Sequence, residues 1–268
     1  MLSDAHCHPA DAARVFPGAE AERRRLGAAC ASSASTLEDF EFCERLSLEA
    51  ASSGAAPILP CFAAHPQMPL RLPGSLADSL SALNALAEAG RLAAVGETGF
   101  DLFGADFRET EKAQDALFAE HLGAALRFGL PIVIHARRAM RKVFAHSRAL
   151  AKCRAVVFHS WPGTAAEGEA LLRRGVNAFF SFGASAVNGR RESMRCCAAF
   201  PLGRLLTETD APYQPTRGGD FSSCADLPRI LEAAASLRRA AGRDGSSAGE
   251  LEEAVWGNFR AAFGLGGA

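Results

Sequence analysis

Arg127-Phe128-Gly129-Leu130-Pro131-Ile132-Val133-Ile134-His135 is the stretch whose reading decides the fold. A helical pattern over Phe107–Phe128, with apolar residues at i, i+3 and i+4, stops at Gly129, and a β-branched run opens at Pro131. Glycine suits the position just past a helix end because it enters the left-handed region without a Cβ clash, and proline cannot continue the helix. The run then closes on a polar residue, His135. The unit is a helix, a stop, a strand and a histidine at the strand's far end.

The same unit recurs in both directions. Strands are predicted at Leu2–Cys7, Leu26–Ala31, Pro57–Ala63, Leu92–Glu97, Pro131–His135, Ala155–His159, Asn177–Phe182 and Arg204–Glu208, with further helical patterns at Glu167–Arg174 and Gly249–Phe263. Strand-then-helix alternation implies a parallel sheet, because parallel strands need crossover connections. Eight such units in 268 residues fit one (β/α)8 TIM barrel, a single domain over residues 1–268. The competing doubly wound sheet lacks its usual support, since no G-x-G-x-x-G follows the first strand.

Composition narrows the function. With 49% hydrophobic and 22% charged residues the chain is globular, and a net charge of −1 gives no global basic field. No apolar run approaches the roughly 20 residues of a membrane span, and the start lacks a basic and apolar leader, so a cytoplasmic protein with no membrane partner is expected. The eight cysteines, at 7, 30, 43, 61, 153, 196, 197 and 224, contain no C-x-x-C pair and are expected to be reduced and mostly buried.

The chemistry lies in where the polar residues fall. His6 and His8 close the first predicted strand, His65 follows the third, Glu97 closes the fourth, His135 the fifth and His159 the sixth, and Asp210 follows the eighth. In a barrel those ends share the face that carries the active site. His6-x-His8 has the period that turns both imidazoles to one side, and imidazole with carboxylate suits divalent transition metals. Glu97 has two oxygens with which to bridge two ions, and His135 and His159 would complete the second. Asp210 would bind the first ion and accept a proton from water. Two ions about 3.5–4 Å apart clamp the attacking and leaving oxygens of a displacement. With only Glu97 and Asp210 as counter-charges the pocket would keep a positive surplus and so favour an anion. His121 and His146 fall in helical stretches and read as structural or solvent-facing. The basic run Arg137-Arg138-Arg141-Lys142 reads either as a track for a nucleic-acid backbone or as a solvated helix face. The Gly-, Pro- and Ser-rich segment Gln214–Ala225 reads as an active-site loop or a plain connector.

Five motifs, in order, carry a family resemblance: Asp4-Ala5-His6-Cys7-His8, Gly96-Glu97-Thr98-Gly99-Phe100-Asp101, Pro131-Ile132-Val133-Ile134-His135-Ala136-Arg137, His159-Ser160-Trp161-Pro162-Gly163 and Glu208-Thr209-Asp210-Ala211-Pro212-Tyr213. In combination they resemble the TatD family of metal-dependent hydrolases and deoxyribonucleases over nearly the whole chain. The resemblance implies an amidohydrolase-type TIM barrel holding two divalent ions (Zn, Mn or Mg). It implies His6, His8, Glu97 and Asp210 on one ion, and Glu97, His135 and His159 on the other. It implies phosphodiester hydrolysis of the 3′-to-5′ exonuclease kind on a nucleic acid or nucleotide, with Asp210 and Glu97 as catalytic residues. His65 and Arg137 are the expected substrate contacts, and a monomer is the default state. The departures are Gln67 where a second histidine is usual, Arg138 where an acidic residue is usual, His121 where glutamine is frequent, and a partly matching 214–228 segment. All six ligand positions are present.

Two other readings compete. An amidohydrolase acting on a small amide, ester or lactone would often bridge its metals through a carbamylated lysine, but Lys112, Lys142 and Lys152 all fall in helical patterns. A metal-binding barrel without turnover is the non-enzyme reading.

Overall fold

The computed structural model describes residues 1–266. Eight parallel strands run in sequence order around one sheet: β1 (Ser3–Cys7), β2 (Ala29–Ala34), β3 (Ile58–Phe62), β4 (Ala94–Asp101), β5 (Ile132–Arg137), β6 (Val156–Phe158), β7 (Ala178–Phe182) and β8 (Leu205–Thr207). The first and last strands come together through Thr207 Oγ1 donating to the Ser3 carbonyl at 3.1 Å. Beyond β8, Asp210 N donates to the His6 carbonyl at 2.9 Å and His8 N to the Ala211 carbonyl at 2.8 Å. The expected TIM barrel is therefore the observed architecture.

Two apolar layers hold it. Mostly small and branched side chains fill the interior, among them Ala29, Ala31, Leu59, Cys61, Val133, Val157 and Leu206, with one aromatic, Phe179, and the helix Ala248–Phe263 closes one end with Phe259, Ala262 and Phe263. Outside, Phe62, Ile132, Ile134, Val156, Phe158 and Phe180 pack on helix residues such as Phe40, Leu83, Phe118 and Leu171. Alternate strand residues thus enter different layers, as the pleat requires.

Several boundaries move. Leu26 ends the helix Ala19–Leu26 rather than opening a strand, because Gly27 (φ 61°) stops that helix and β2 starts only at Ala29. The pattern over Phe107–Phe128 is two helices, Ala105–Glu109 and Glu111–Phe128. They break at Thr110, whose Oγ1 donates to the Phe107 carbonyl at 2.9 Å and competes with the helical ladder. Gly129 (φ 65°) caps the second helix as predicted. Most important for the site, β4 continues four residues past Glu97, so Glu97 sits within the strand and not at its end. His6 and His135 likewise lie inside β1 and β5. All eight cysteines are free, and all but Cys224 are buried. Among the described residues no helix is long and apolar enough to cross a membrane.

Candidate metal centre

Strict alternation would spoil the site. Ala5 and Ala94 pack in the barrel interior, so period two would aim His6 and Glu97 outward into the helix layer. The register of β1 shifts between Asp4 and Cys7, and that of β4 between Val95 and Thr98. After each irregularity the parity is reversed. Cys7 now packs outside with Cys30 and Ile58, Thr98 reaches the outer His121, and Phe100 joins the outer layer. One extra residue per strand therefore turns His6 and Glu97 inward, as a β-bulge does beside active sites. Gly96 makes this possible in β4, since a Cβ there would lie 2.5 Å from Val133 Cβ.

The six predicted ligands and His65 converge. Glu97 Oε2 lies 3.2 Å from His6 Nε2 and 3.7 Å from His8 Nε2. Its Oε1 lies 2.6 Å from His135 Nδ1, 3.4 Å from His159 Nε2 and 3.5 Å from His65 Nε2. One carboxylate thus faces five imidazoles. Asp210 Oδ1 lies 3.3 Å from His8 Nε2 and 3.5 Å from His6 Nε2. The donor atoms fall in three overlapping groups: His6, His8 and Glu97; His6, His159 and Asp210; and His65, Glu97 and His135. His65, expected as a substrate contact, lies among these donors. Arg137 is at the rim, 48% exposed in its side chain, with Nη1 3.9 Å from Asp101 Oδ2.

These donors suit divalent ions. The Nε2 atoms of His6 and His8 point at each other across 3.1 Å, an arrangement a shared cation relieves. The remaining nitrogen of each buried ring is held from behind: His6 Nδ1 by Ser33 Oγ at 3.2 Å, and His159 Nδ1 by Glu208 Oε1 at 3.1 Å. Such outer partners fix ring orientation at metal sites.

Burial and charge set the protonation of this cluster. Burial opposes ionisation of Asp210, but His159, His8 and His6 outweigh it and hold the carboxyl at about 2. Glu97 is likewise driven well below the usual carboxylate range against its burial, by His65, His6, His159 and His135. Burial lowers His6 and His65. It also opposes protonation of His8, which Asp210 and Glu97 nonetheless raise above its ordinary value.

Sequence reasoning missed the carboxylates behind the histidines. Asp101 Oδ2 lies 3.5 Å from His135 Nε2 and accepts from Gln67 Nε2 at 2.7 Å, so the unusual Gln67 anchors Asp101. Glu208, fully buried, holds His159 and accepts from Ser160 N at 2.8 Å. Both stood inside quoted motifs. Glu208 also shares the inward parity of Leu206, which was the available signal. Asp101 and Glu208 thus add two carboxylates behind the histidines to the two, Glu97 and Asp210, that the sequence count included. Gln214 was also missed. It donates to Asp210 Oδ2 at 2.6 Å and to Ser160 Oγ at 2.9 Å. Ser160, Asp210 and Gln214 all adopt positive φ (43°, 55° and 51°), and such strain concentrates at functional sites. His121 and His146 are structural: His121 bridges Ala64 and Thr98, and His146 packs on Phe118 with ring centroids 4.9 Å apart.

Residues 3–264 match the family model described as TatD related DNase. The chain belongs to this family. It is a metal-dependent hydrolase of the TatD type, with the barrel that the family shares. It is 32% identical over 152 residues to the uncharacterized metal-dependent hydrolase YjjV of Escherichia coli K12, covering 56% of this chain and 57% of that relative's length. It is 31% identical over 197 residues to the 3′-5′ ssDNA/RNA exonuclease TatD of Erwinia tasmaniensis, covering 70% and 72% respectively. The crystal structure of the E. coli YjjV protein superimposes with a TM-score of 0.82 at 26% identity, over 99% of this chain and 98% of that one.

Proposed function

We propose that this chain hydrolyses phosphodiester bonds at the 3′ end of single-stranded nucleic acid, with two divalent ions held by His6, His8, Glu97 and Asp210 and by Glu97, His135 and His159. The observation that carries the reading is the Glu97 carboxylate, which offers one oxygen to His6 and His8 and the other to His135 and His159. Divalent ions bound there supply an acidified water and charge stabilisation for the departing oxygen.

The side chains do the rest. Asp210 keeps one oxygen toward His6 and His8 while Gln214 holds the other, so the carboxylate has a fixed orientation. Remaining ionised down to about 2, it is available to accept the proton of an attacking water across the neutral range. Glu208 holds the ring of His159 through Nδ1, and Asp101 Oδ2 stands 3.5 Å from His135 Nε2. Arg137, at the rim, offers a planar donor fork to phosphate oxygens, and His65 faces the same space. The lysine-bridged amidohydrolase alternative finds no support: Lys112 lies in a helix, Lys142 is paired with Glu111 and Asp115, and Lys152 is in a turn, so no lysine sits on a strand.

The test is a degradation ladder. Single-stranded oligonucleotides labelled at either end are incubated with Mg²⁺, Mn²⁺ or Zn²⁺, with and without chelator, beside elemental analysis of the loaded protein. Shortening from the 3′ end that chelator abolishes, with two ions per chain, is the expected outcome. Absence of chelator-sensitive phosphodiester hydrolysis with every metal would overturn the proposal.

A further inference from the structure

All three exposed aromatic side chains among the described residues, Phe103, Tyr213 and Phe221, lie on the loops that follow β4 and β8. Phe103 stands out by what covers it. The residue is 44% exposed, and its ring carries the guanidinium of Arg137 at 4.0 Å and that of Arg138 at 4.6 Å from its centroid. Its backbone is pinned, with Phe103 N donating to Asp101 Oδ1 at 3.0 Å and Arg108 Nη1 donating to the Phe103 carbonyl at 3.1 Å. Arg138 reaches the ring from a left-handed backbone (φ 55°), a conformation that non-glycine residues rarely hold without cause.

The neighbouring cations are otherwise engaged. Arg141 pairs with Glu111, and Lys142 with Glu111 and Asp115. The basic run therefore divides, its second half paired on the helix face and its first half stacked on an exposed aromatic at the rim. The stack is also wired to the metal centre, since Asp101 binds the Phe103 backbone and touches both Arg137 and His135, which in turn meets Glu97.

We propose that Phe103, Arg137 and Arg138 form a stacking platform that takes an unpaired nucleobase beside the scissile phosphodiester, with the two guanidinium groups also facing the adjacent phosphate. A π-face and planar cations are what an unpaired base stacks on, and neither depends on base identity. A base within a duplex has its faces covered and cannot join the stack, so the platform makes single strands the preferred substrate. The inference rests on the nucleic-acid reading above and adds the residues that select for it.

The experiment compares the wild type with Phe103→Ala and Phe103→Trp on a single-stranded oligodeoxythymidylate of about a dozen nucleotides, and on the same strand with abasic sites near its 3′ end. Binding is read by fluorescence anisotropy in chelator, and turnover by steady-state kinetics with metal. Phe103 is exposed, so the alanine variant tests contact rather than folding, and a thermal melt checks this. Base–aromatic stacking predicts a loss of about tenfold in affinity for Phe103→Ala, falling on KM rather than kcat. Removing the bases costs the wild type the same factor and costs Phe103→Ala nothing, while Phe103→Trp restores binding. If the wild type shortens the strand but neither the Phe103→Ala substitution nor the missing bases change affinity, the platform is refuted and the nuclease reading stands. If the wild type neither binds nor shortens any strand, the nuclease reading fails and the platform falls with it.

Discussion

Replacing Glu208 by glutamine keeps its shape and removes its charge, and the structure fixes what this should cost. Oε1 of Glu208 accepts from His159 Nδ1 at 3.1 Å and from Ser160 N at 2.8 Å, while Oε2 is buried with no protein partner. In the glutamine variant the single carbonyl oxygen can replace Oε1, but the amide nitrogen then occupies the unpartnered position. Two losses follow. A charge-assisted hydrogen bond becomes a neutral one, and a buried N–H₂ is left unsatisfied, together worth about 2–4 kcal/mol. The carboxylate also sets the state of His159. Burial alone would lower that imidazole, but Glu208 first, then Glu97 and Asp210, raise it from its ordinary value to about 10. A histidine raised on folding contributes stability that is complete below its unfolded value of about 6.5 and is lost as pH rises through its folded value. In chelator, the stability deficit of Glu208→Gln should therefore be largest below about pH 6.5 and shrink toward pH 10. With metal present, loss of an outer carboxylate behind a ligand histidine predicts a fall of about 10–100-fold in metal affinity or in kcat/KM. Denaturant titrations in chelator across this pH range, with activity titrated against metal concentration, measure both effects. A variant with wild-type metal dependence, kcat/KM and stability would refute the view that Glu208 orients His159.

Three further predictions concern other parts of the molecule. Asp210→Asn should keep the fold and lower kcat by about 10²–10⁴-fold, the range for losing a general base; circular dichroism and steady-state turnover check it, and an unchanged kcat would remove Asp210 from its assigned role. At Gly99, with φ 133°, a Cβ would lie 2.0 Å from the His135 carbonyl. Gly99→Ala should force β4 and β5 apart beside His135, lowering Tm and cutting activity by about 10²-fold through misplacement of roughly 1 Å, whereas a wild-type melt and rate would contradict the close approach. His121 is buried, accepts from Ala64 N through Nε2 and is pushed down to about 3 by desolvation. Because the unfolded imidazole binds a proton near 6.5 and the folded one does not, stability should fall by about 1.4 kcal/mol per unit as pH drops from 6.5 toward 3. His121→Gln should flatten that part of a pH–stability profile, and an identical slope in the variant would count against the assignment.

The legibility of this protein in its sequence follows from local physics. The stop at Gly129-Leu130-Pro131 and the β-branched run after it depend on backbone preferences of single residues, and they placed β5 within two residues of its observed limits. Leu26 misled because an apolar residue before glycine suits a helix end as well as a strand start. Thr110 broke a helix that apolar spacing alone left continuous, because a side-chain hydrogen bond to the backbone leaves no trace in periodicity. The Arg137-Arg138-Arg141-Lys142 run could not be divided without knowing that Glu111 and Asp115, far back in the chain, meet its second half.

By itself the sequence determined that eight strand–helix units would close a barrel, and that histidines and carboxylates near successive strand ends would share its mouth, because crossover connections impose that geometry on every parallel unit. Tertiary structure alone decided that His6 and Glu97 point inward, since the bulges that reverse the parity of β1 and β4 arise from pairing with neighbouring strands. It also decided which carboxylates stand behind His135 and His159. Asp101 and Glu208 approach those rings from other strands or from beyond β8, and contacts between distant parts of the chain are not encoded in the spacing along it.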